Sequence, residues 1–334
     1  MKTVLVTGSS GFIGGHLVKY LKNNGCYVIG VDIESPKYEK PDKFHKLDLR
    51  VQSATKYIFS DAVAQGKPIE EVYNLACLMG GMGFIGDESH SYDVMIGSTQ
   101  IVSNIIECSV FYKVKKSFYS SSACVYNMYK QENTDNVSLR ESDSYPAMPD
   151  LIYGWQKLQS EIMYEAAYKQ YGLNIRIARF HNIFGIEGTW DGGKEKYPAA
   201  ISRKVAMAKD GDTISIWGDG LQTRSFLYID TCIEGIMRLM ESDYIFPLNI
   251  GSDELVSVNE VAEMVIGISG KKLNIEHDLT KPQGVRGRNS NNELIQEVLG
   301  WKPDTKFIDG INKTYHWINE QILNNQIKQD LNGL

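Results

Sequence analysis

A short apolar strand that runs straight into a glycine turn and then a helix constrains this chain more than any other feature. Residues 1–7 (Met-Lys-Thr-Val-Leu-Val-Thr) read as a buried strand, Gly8-Ser9-Ser10-Gly11-Phe12-Ile13-Gly14 follows at once, and an amphipathic run continues to residue 24. The glycines permit a tight turn, let backbone approach a pyrophosphate and bring the helix close to the sheet. The backbone N–H groups at the helix start, those of Phe12 and Ile13 included, offer donors to phosphate. Such a unit implies an α/β chain built on a Rossmann-type, doubly wound parallel sheet, with ligands at the carboxyl ends of its strands. Asp32 follows a second strand at 27–31, where an acidic side chain suits the free ribose hydroxyls of NAD and repels the extra phosphate of NADP. A glycine turn in some other α/β protein is the competing reading, and Asp32 weighs against it.

A second constellation gives the cofactor a task. Residues 114–119 read as a strand ending in Ser120-Ser121-Ser122, and a helical pattern opens at Tyr153-Gly154-Trp155-Gln156-Lys157 and runs to about residue 171. Tyr153 and Lys157, four apart, share one helix face. A phenol of pKa near 10 is a poor base at neutral pH, but a neighbouring ammonium favours the phenolate. Ser122, Tyr153 and Lys157 therefore read as a set that binds and oxidises an alcohol, with Tyr153 and Lys157 also beside the cofactor. Singly these residues are weak signals, since a YxxxK pair arises by chance and a serine run often caps a loop. The glycine turn makes them a site.

The remaining strands supply candidate cofactor contacts: Asp48 and Leu49 at the adenine edge after 44–47, and Leu75 and Ala76 at the end of 71–75. Then comes Leu78-Met79-Gly80-Gly81-Met82-Gly83-Phe84-Ile85-Gly86, whose glycines predict a loop that lets backbone approach something closely. Helical patterns at 94–110 and 153–171 are candidates to face a second subunit, as in a homodimer, or to form an ordinary outer layer. Beyond a strand at 174–180 the alternation loosens. The expected organisation is an NAD-binding domain at 1–180 plus about 225–251, and a smaller C-terminal α/β substrate lobe at 181–224 plus 252–334.

Composition narrows the classes. At 43% hydrophobic and 23% charged residues over 334 positions the chain is globular, and its net charge of -6 argues against nucleic-acid binding. Five cysteines without CxxC spacing favour neither disulfides nor a metal site and fit a reducing, cytoplasmic setting. No apolar run approaches the ~18 residues of a membrane span, so no membrane partner is expected. Local cations do occur late: Lys204, Arg224 and Arg286-Gly287-Arg288 offer enough positive charge for a diphosphate.

Several further stretches are specific: Met79-Gly-Gly-Met-Gly-Phe-Ile85, Ser121-Ser-Ala-Cys124, Phe180-His-Asn-Ile-Phe-Gly185, Gly188-Thr-Trp190, Gly192-Gly-Lys-Glu-Lys-Tyr-Pro-Ala199, Trp217-Gly-Asp-Gly220, Gln222-Thr-Arg-Ser-Phe226 and Gly284-Val-Arg-Gly-Arg-Asn-Ser290. On these, nearly the whole chain resembles the extended short-chain dehydrogenase/reductases that act on nucleotide sugars, most closely the GDP-mannose 3,5-epimerase group. The resemblance implies an isomerase that oxidises a GDP-sugar (GDP-mannose or a GDP-manno-heptose) at C-4 on bound NAD, deprotonates and reprotonates C-3 and C-5, and then reduces C-4. It implies Cys124 and Lys196 as the acid/base pair. It also implies Gly80, Ser122, Ala123, Cys124, Asn182, Glu195, Lys196, Tyr197, Lys204, Gln222, Thr223, Arg224 and Arg288 as the sugar-nucleotide contacts. A simple 4-epimerase or 4-dehydrogenase, needing neither Cys124 nor Lys196, and a non-catalytic NAD-binding regulator are the alternatives. The chain departs from the family at Asn127, where proline is expected, and in 86–98, which is about two residues longer.

Overall fold

The computed structural model describes residues 1–135, 137–281 and 284–332; the last two residues of the expected substrate lobe, 333–334, lie outside these. The first strand, β1 (Thr3–Thr7), is buried along its whole length. Helices cover both faces of the sheet, so its central strands read as continuous apolar runs instead of alternating ones. It is joined by β2 (Tyr27–Asp32), β3 (Lys43–Lys46), β4 (Glu71–Asn74), β5 (Lys116–Ser122), β6 (Ile175–Phe180) and an edge strand Pro247–Ile250. All seven are parallel, in the order β3-β2-β1-β4-β5-β6-edge. The order reverses between β1 and β4, and a ligand crevice opens at such a switch point.

The principal helices are α1 (Phe12–Asn23), α2 (Gln52–Ala64), a single turn α3 (Met82–Ile85), α4 (Ser98–Phe111), α5 (Ile152–Tyr171), α6 (Tyr197–Met207), α7 (Ile229–Glu241), α8 (Val258–Ser269), α9 (Glu293–Leu299) and α10 (Phe307–Asn332). α5 stops where Gly172 turns left-handed at φ 71°, and α8 starts on a capping box in which Ser257 and Glu260 satisfy each other's backbone N–H.

The smaller lobe is assembled from α6, α8, a parallel pair of strands (Thr213–Trp217 with Asn274–Asp278) and a small sheet of Val256–Ser257, Thr223–Arg224 and Gly287–Arg288. It shares its core with the sheet: one hydrophobic cluster runs from Val4 and Val6 through Phe180 to Ile201, Val205, Val261 and Ile311.

Two expectations are corrected. The Gly-Met stretch is not wholly loop, because the Gly81 carbonyl accepts from both Phe84 and Ile85 N–H (2.9 and 3.1 Å) and closes the turn α3. Second, Glu88–Phe111 is a continuous helical run of 24 residues that is apolar enough, by length and composition alone, to cross a membrane. Loop signals at its start conceal that length in the sequence. Half of its apolar stretch is buried, and α4 packs between α2 and α5, which accounts for its composition as that of a core helix.

Candidate functional site

The glycine turn leaves β1 at the switch point. A methyl group on Gly14 would stand 2.0 Å from the Gly8 carbonyl oxygen, so only glycine lets α1 come this near the turn. α1 begins at Gly11 with no side-chain cap, leaving the N-terminal donors to an anion. Phe12 and Ile13 turn their side chains to the core, so their contribution to a ligand is backbone N–H. The Asp32 carboxylate is pinned beside the turn by the N–H groups of Ser10 and Glu34, both at 3.0 Å, and its further lone pairs are placed for ribose hydroxyls. Leu75 and Ala76 donate their N–H groups to the Thr7 hydroxyl at 3.1 and 3.0 Å, which fixes the rim of the crevice. Asp48 pairs with Arg50 at 2.7 Å and is held below the usual carboxylate range by those hydrogen bonds, while Leu49 is a core side chain. An open anion-binding helix start, a cradle that tolerates no side chain and a fixed acidic group fit NAD.

Next to this, β5 delivers Ser120 to Ser122 at its carboxyl end, and α5 crosses above them. The Lys157 ammonium donates to the Ser120 carbonyl at 2.7 Å and lies 4.9 Å from the Tyr119 ring centroid and 5.6 Å from that of Tyr153. Burial pushes the Tyr153 phenol strongly up and Lys157 draws it back down. For Lys157, burial works against the charge, but the Cys77 thiol and the Tyr153 phenol outweigh it and the ammonium is favoured. Ser122 accepts the Cys124 N–H at 3.2 Å, keeping its own hydroxyl hydrogen for a ligand. A methyl on Gly154 would fall 2.1 Å from the Cys124 carbonyl oxygen, so the start of α5 is seated directly on the Cys124 backbone.

Cys124 follows directly on β5, and Lys196 belongs to the smaller lobe. Lys196 occupies the N-cap position of α6 and is half-buried. Burial pushes it down, with Cys124, Cys77 and Cys232 opposing. Those thiols, not carboxylates, are the groups that bear on it. The Lys196 loop is held against the Gly-Met stretch: Gly81 N–H donates to the Lys194 carbonyl at 3.1 Å, and a methyl on Gly81 would meet the Glu195 carbonyl oxygen at 2.7 Å. The close approach that those glycines imply is thus made to another loop of the protein.

The anion contacts expected from the sequence are spread over the same lobe. Arg288 is buried and pairs in register with the half-buried Arg224, which donates to the Thr223 and Val285 carbonyls; burial and then the Arg288 charge push Arg224 down to about 9. Arg288 donates from Nη1 to Cys124 Sγ at 3.3 Å. Gln222 is buried with Oε1 unpartnered among the described residues, while its amide donates to the Trp217 carbonyl. Asn182 takes a left-handed φ of 44°, strained for a residue other than glycine, and donates to the Ser225 carbonyl at 2.9 Å.

Others are engaged within the protein. Glu195 accepts from Gly193 and Arg203, Lys204 donates to the Ser215 carbonyl, Thr223 to that of Thr134, and Tyr197 to that of Val258. Ala123 is buried, so backbone is its only means of contact, and Gly80 lies against Phe84. Asn127, the departure from the family pattern, accepts from Tyr129 N–H and donates to the Pro146 carbonyl, a local brace. The longer 86–98 segment winds into a π-helical stretch, Asp93–Gly97, which absorbs extra length without breaking the helix.

Sequence reasoning missed Cys77, Asp150 and the buried pair of Arg179 and Glu161. The pair is bidentate at 2.8 and 2.9 Å and braces Ser121 from behind. None of these lies in a recognisable motif, since their partners are distant in sequence.

The model of the NAD dependent epimerase/dehydratase family matches residues 4–251. The chain is 47% identical to GDP-mannose 3,5-epimerase of Arabidopsis thaliana over 96% of its length and 82% of that relative. It is 46% identical to GDP-mannose 3,5-epimerase 1 of Oryza sativa subsp. indica with the same coverage. Among solved structures, UDP-glucose 4-epimerase of Thermotoga maritima superposes with a TM-score of 0.83 at 24% identity, covering 96% of this chain and 99% of that one. UDP-glucose 4-epimerase of Thermus thermophilus in complex with NAD superposes at 0.78 with 22% identity, covering 95% and 98%. These two likenesses concern the fold.

Proposed function

The chain belongs to the NAD dependent epimerase/dehydratase family, and from that premise we propose that it is an NAD-dependent epimerase of a GDP-sugar, GDP-mannose being the expected substrate. NAD, held by the glycine turn and Asp32, supplies a hydride acceptor and donor. Ser122 holds the C-4 hydroxyl and Tyr153 takes its proton, aided by the Lys157 charge. The resulting C-4 ketone acidifies the hydrogens at C-3 and C-5. Cys124 and Lys196 remove and return those protons on opposite faces, and Tyr153 then returns the hydroxyl proton. Arg224 and Arg288 take the diphosphate.

One observation carries this reading over that of a plain 4-epimerase. Lys196 stands half-buried at the start of α6, on a loop that Gly81 N–H holds through the Lys194 carbonyl, and its ammonium is pushed down by burial with thiols, Cys124 foremost, opposing. C-4 chemistry alone has no use for such a lysine. The test is product analysis with GDP-mannose and no added NAD. The wild type is expected to form C-3- or C-5-inverted sugar, and Cys124→Ala and Lys196→Ala to lose inversion by at least about a hundredfold while still oxidising C-4. Normal inversion by both variants would contradict the assignment.

We further propose a homodimer in the cytoplasm. An apolar groove of about 420 Å³ beside α5 is lined by Met95, Trp155, Ile162 and Met163, and Trp155 and Ile162 are 41% and 53% exposed. A second copy applied to the same face would cover them. The five cysteines are all free, which suits a reducing compartment.

A further inference from the structure

Asp150 lies on the turn into α5, three residues before Tyr153. Its Oδ2 accepts from Arg288 Nη2 at 2.7 Å. The same guanidinium donates from Nη1 to Cys124 Sγ at 3.3 Å and from Nε to Gln131 Oε1 at 2.5 Å. Arg288 is 6% exposed, so three side chains from three segments fix its orientation. The other oxygen, Asp150 Oδ1, is buried with no hydrogen-bond partner among the described residues. Asp150 is also the carboxylate that favours the charge of the neighbouring Arg224, which burial and Arg288 disfavour. One carboxylate thus faces a buried guanidinium, Arg288, and bears on a half-buried one, Arg224, and it ties the segment entering α5 to the Gly287–Arg288 strand of the smaller lobe.

We propose that Asp150 is a positioning residue for the proton-transfer half of the site: it anchors Arg288 so that the guanidinium holds the Cys124 sulfur in place for C-3/C-5 chemistry. The hydride half has contacts that do not run through the Asp150 carboxylate. Lys157 is fixed by the Ser120 carbonyl and the start of α5 is seated on the Cys124 backbone through Gly154, and neither contact involves Asp150. Two consequences follow from the charges. Losing the carboxylate frees Arg288 to leave Cys124, which slows inversion. It also removes a counter-charge from the Arg224 and Arg288 pair, which strengthens binding of an added diphosphate. A merely structural carboxylate would not produce this combination.

The inference rests on the epimerase reading, and the experiment separates the two. GDP binding is measured by calorimetry, reduction of the bound cofactor by absorbance after mixing with GDP-mannose, and inversion by entry of solvent deuterium at C-3 and C-5. Asp150→Asn is expected to bind GDP about three- to tenfold more tightly, to reduce its cofactor within about threefold of the wild-type rate, and to take up deuterium at least about tenfold more slowly. Asp150→Glu, which keeps the charge, should retain wild-type GDP affinity with deuterium entry between the two. Arg288→Lys should reproduce the slow deuterium entry, with the double variant Asp150→Asn/Arg288→Lys no slower than Arg288→Lys alone. Unchanged deuterium entry in Asp150→Asn, an equal slowing of both steps, weaker GDP binding, or additive losses in the double variant would overturn the proposal alone. A wild type that binds GDP but admits no deuterium overturns the underlying reading and the proposal with it.

Discussion

In the proposed reaction Lys196 takes its task from its surroundings. Burial disfavours its ammonium, and thiols are the groups that bear on it. Its acid form is present below its lowered pKa and is lost as pH rises through it. The alkaline fall in inversion rate should therefore come below the ordinary lysine value of about 10.4. Lys196→Arg keeps its charge at any workable pH, so whatever residual rate it shows should lack that fall; rate profiles of the two proteins check this, and an identical alkaline limb in both would remove Lys196 from the titration. Residue placement was legible in the sequence where it travels in a local pattern, as with Tyr153 and Lys157 at the start of α5 or the glycine turn with Asp32 beside it. Asp150 was not, because its partner is Arg288, far along the chain, and an aspartate before a helix looks like any other turn residue.

At the scale of elements, periodicity predicted the first six strands of the large sheet and the helices α1 and α5 to within a few residues, since a strand buried on both faces and a helix with one apolar stripe leave distinct patterns, but α2, α7, α8 and α10 were not read from it. It failed where tertiary contacts decide. The turn α3 forms in a stretch of four glycines because the Lys194 carbonyl pins Gly81. The apolar surface of α5 has a further implication. Ile162 is 53% exposed on the grooved face, so Ile162→Glu should shift the protein from dimer toward monomer in light scattering at micromolar concentration, with the monomer still folded. A wild type that is monomeric at those concentrations would refute the interface.

For the whole molecule, the sheet and the smaller lobe share one core, and a buried polar network crosses between them behind the site. Tyr126 donates to Asn249 Oδ1, which lies 2.9 Å from His181 Nε2, and the Asn249 amide donates to the Leu139 carbonyl. Burial pushes His181 down to about 3, against about 6.5 in an unfolded chain. Between those values the unfolded state binds the extra proton, so stability falls as pH drops from about 6.5 toward 3, by up to ~1.4 kcal/mol per pH unit. His181→Gln should lose about 2 kcal/mol less than wild type between pH 7 and pH 5 in denaturant titrations; equal losses would show that His181 titrates alike in both states. The loosening of strand–helix alternation after residue 180 is what suggested a two-part organisation in the sequence. The shared core was not, because no local pattern records which apolar faces meet.

The central claim is that one chamber handles a hydride at one carbon and protons at its neighbours. Running the reaction with GDP-mannose in heavy water and locating the label by NMR tests it most directly. Deuterium is expected at C-3, C-5 or both, where hydrogen leaves as a proton to exchangeable side chains, and none at C-4, where it is carried as hydride and returned. Inversion at C-4 with no label on its neighbours, or label at C-4 itself, would contradict the account.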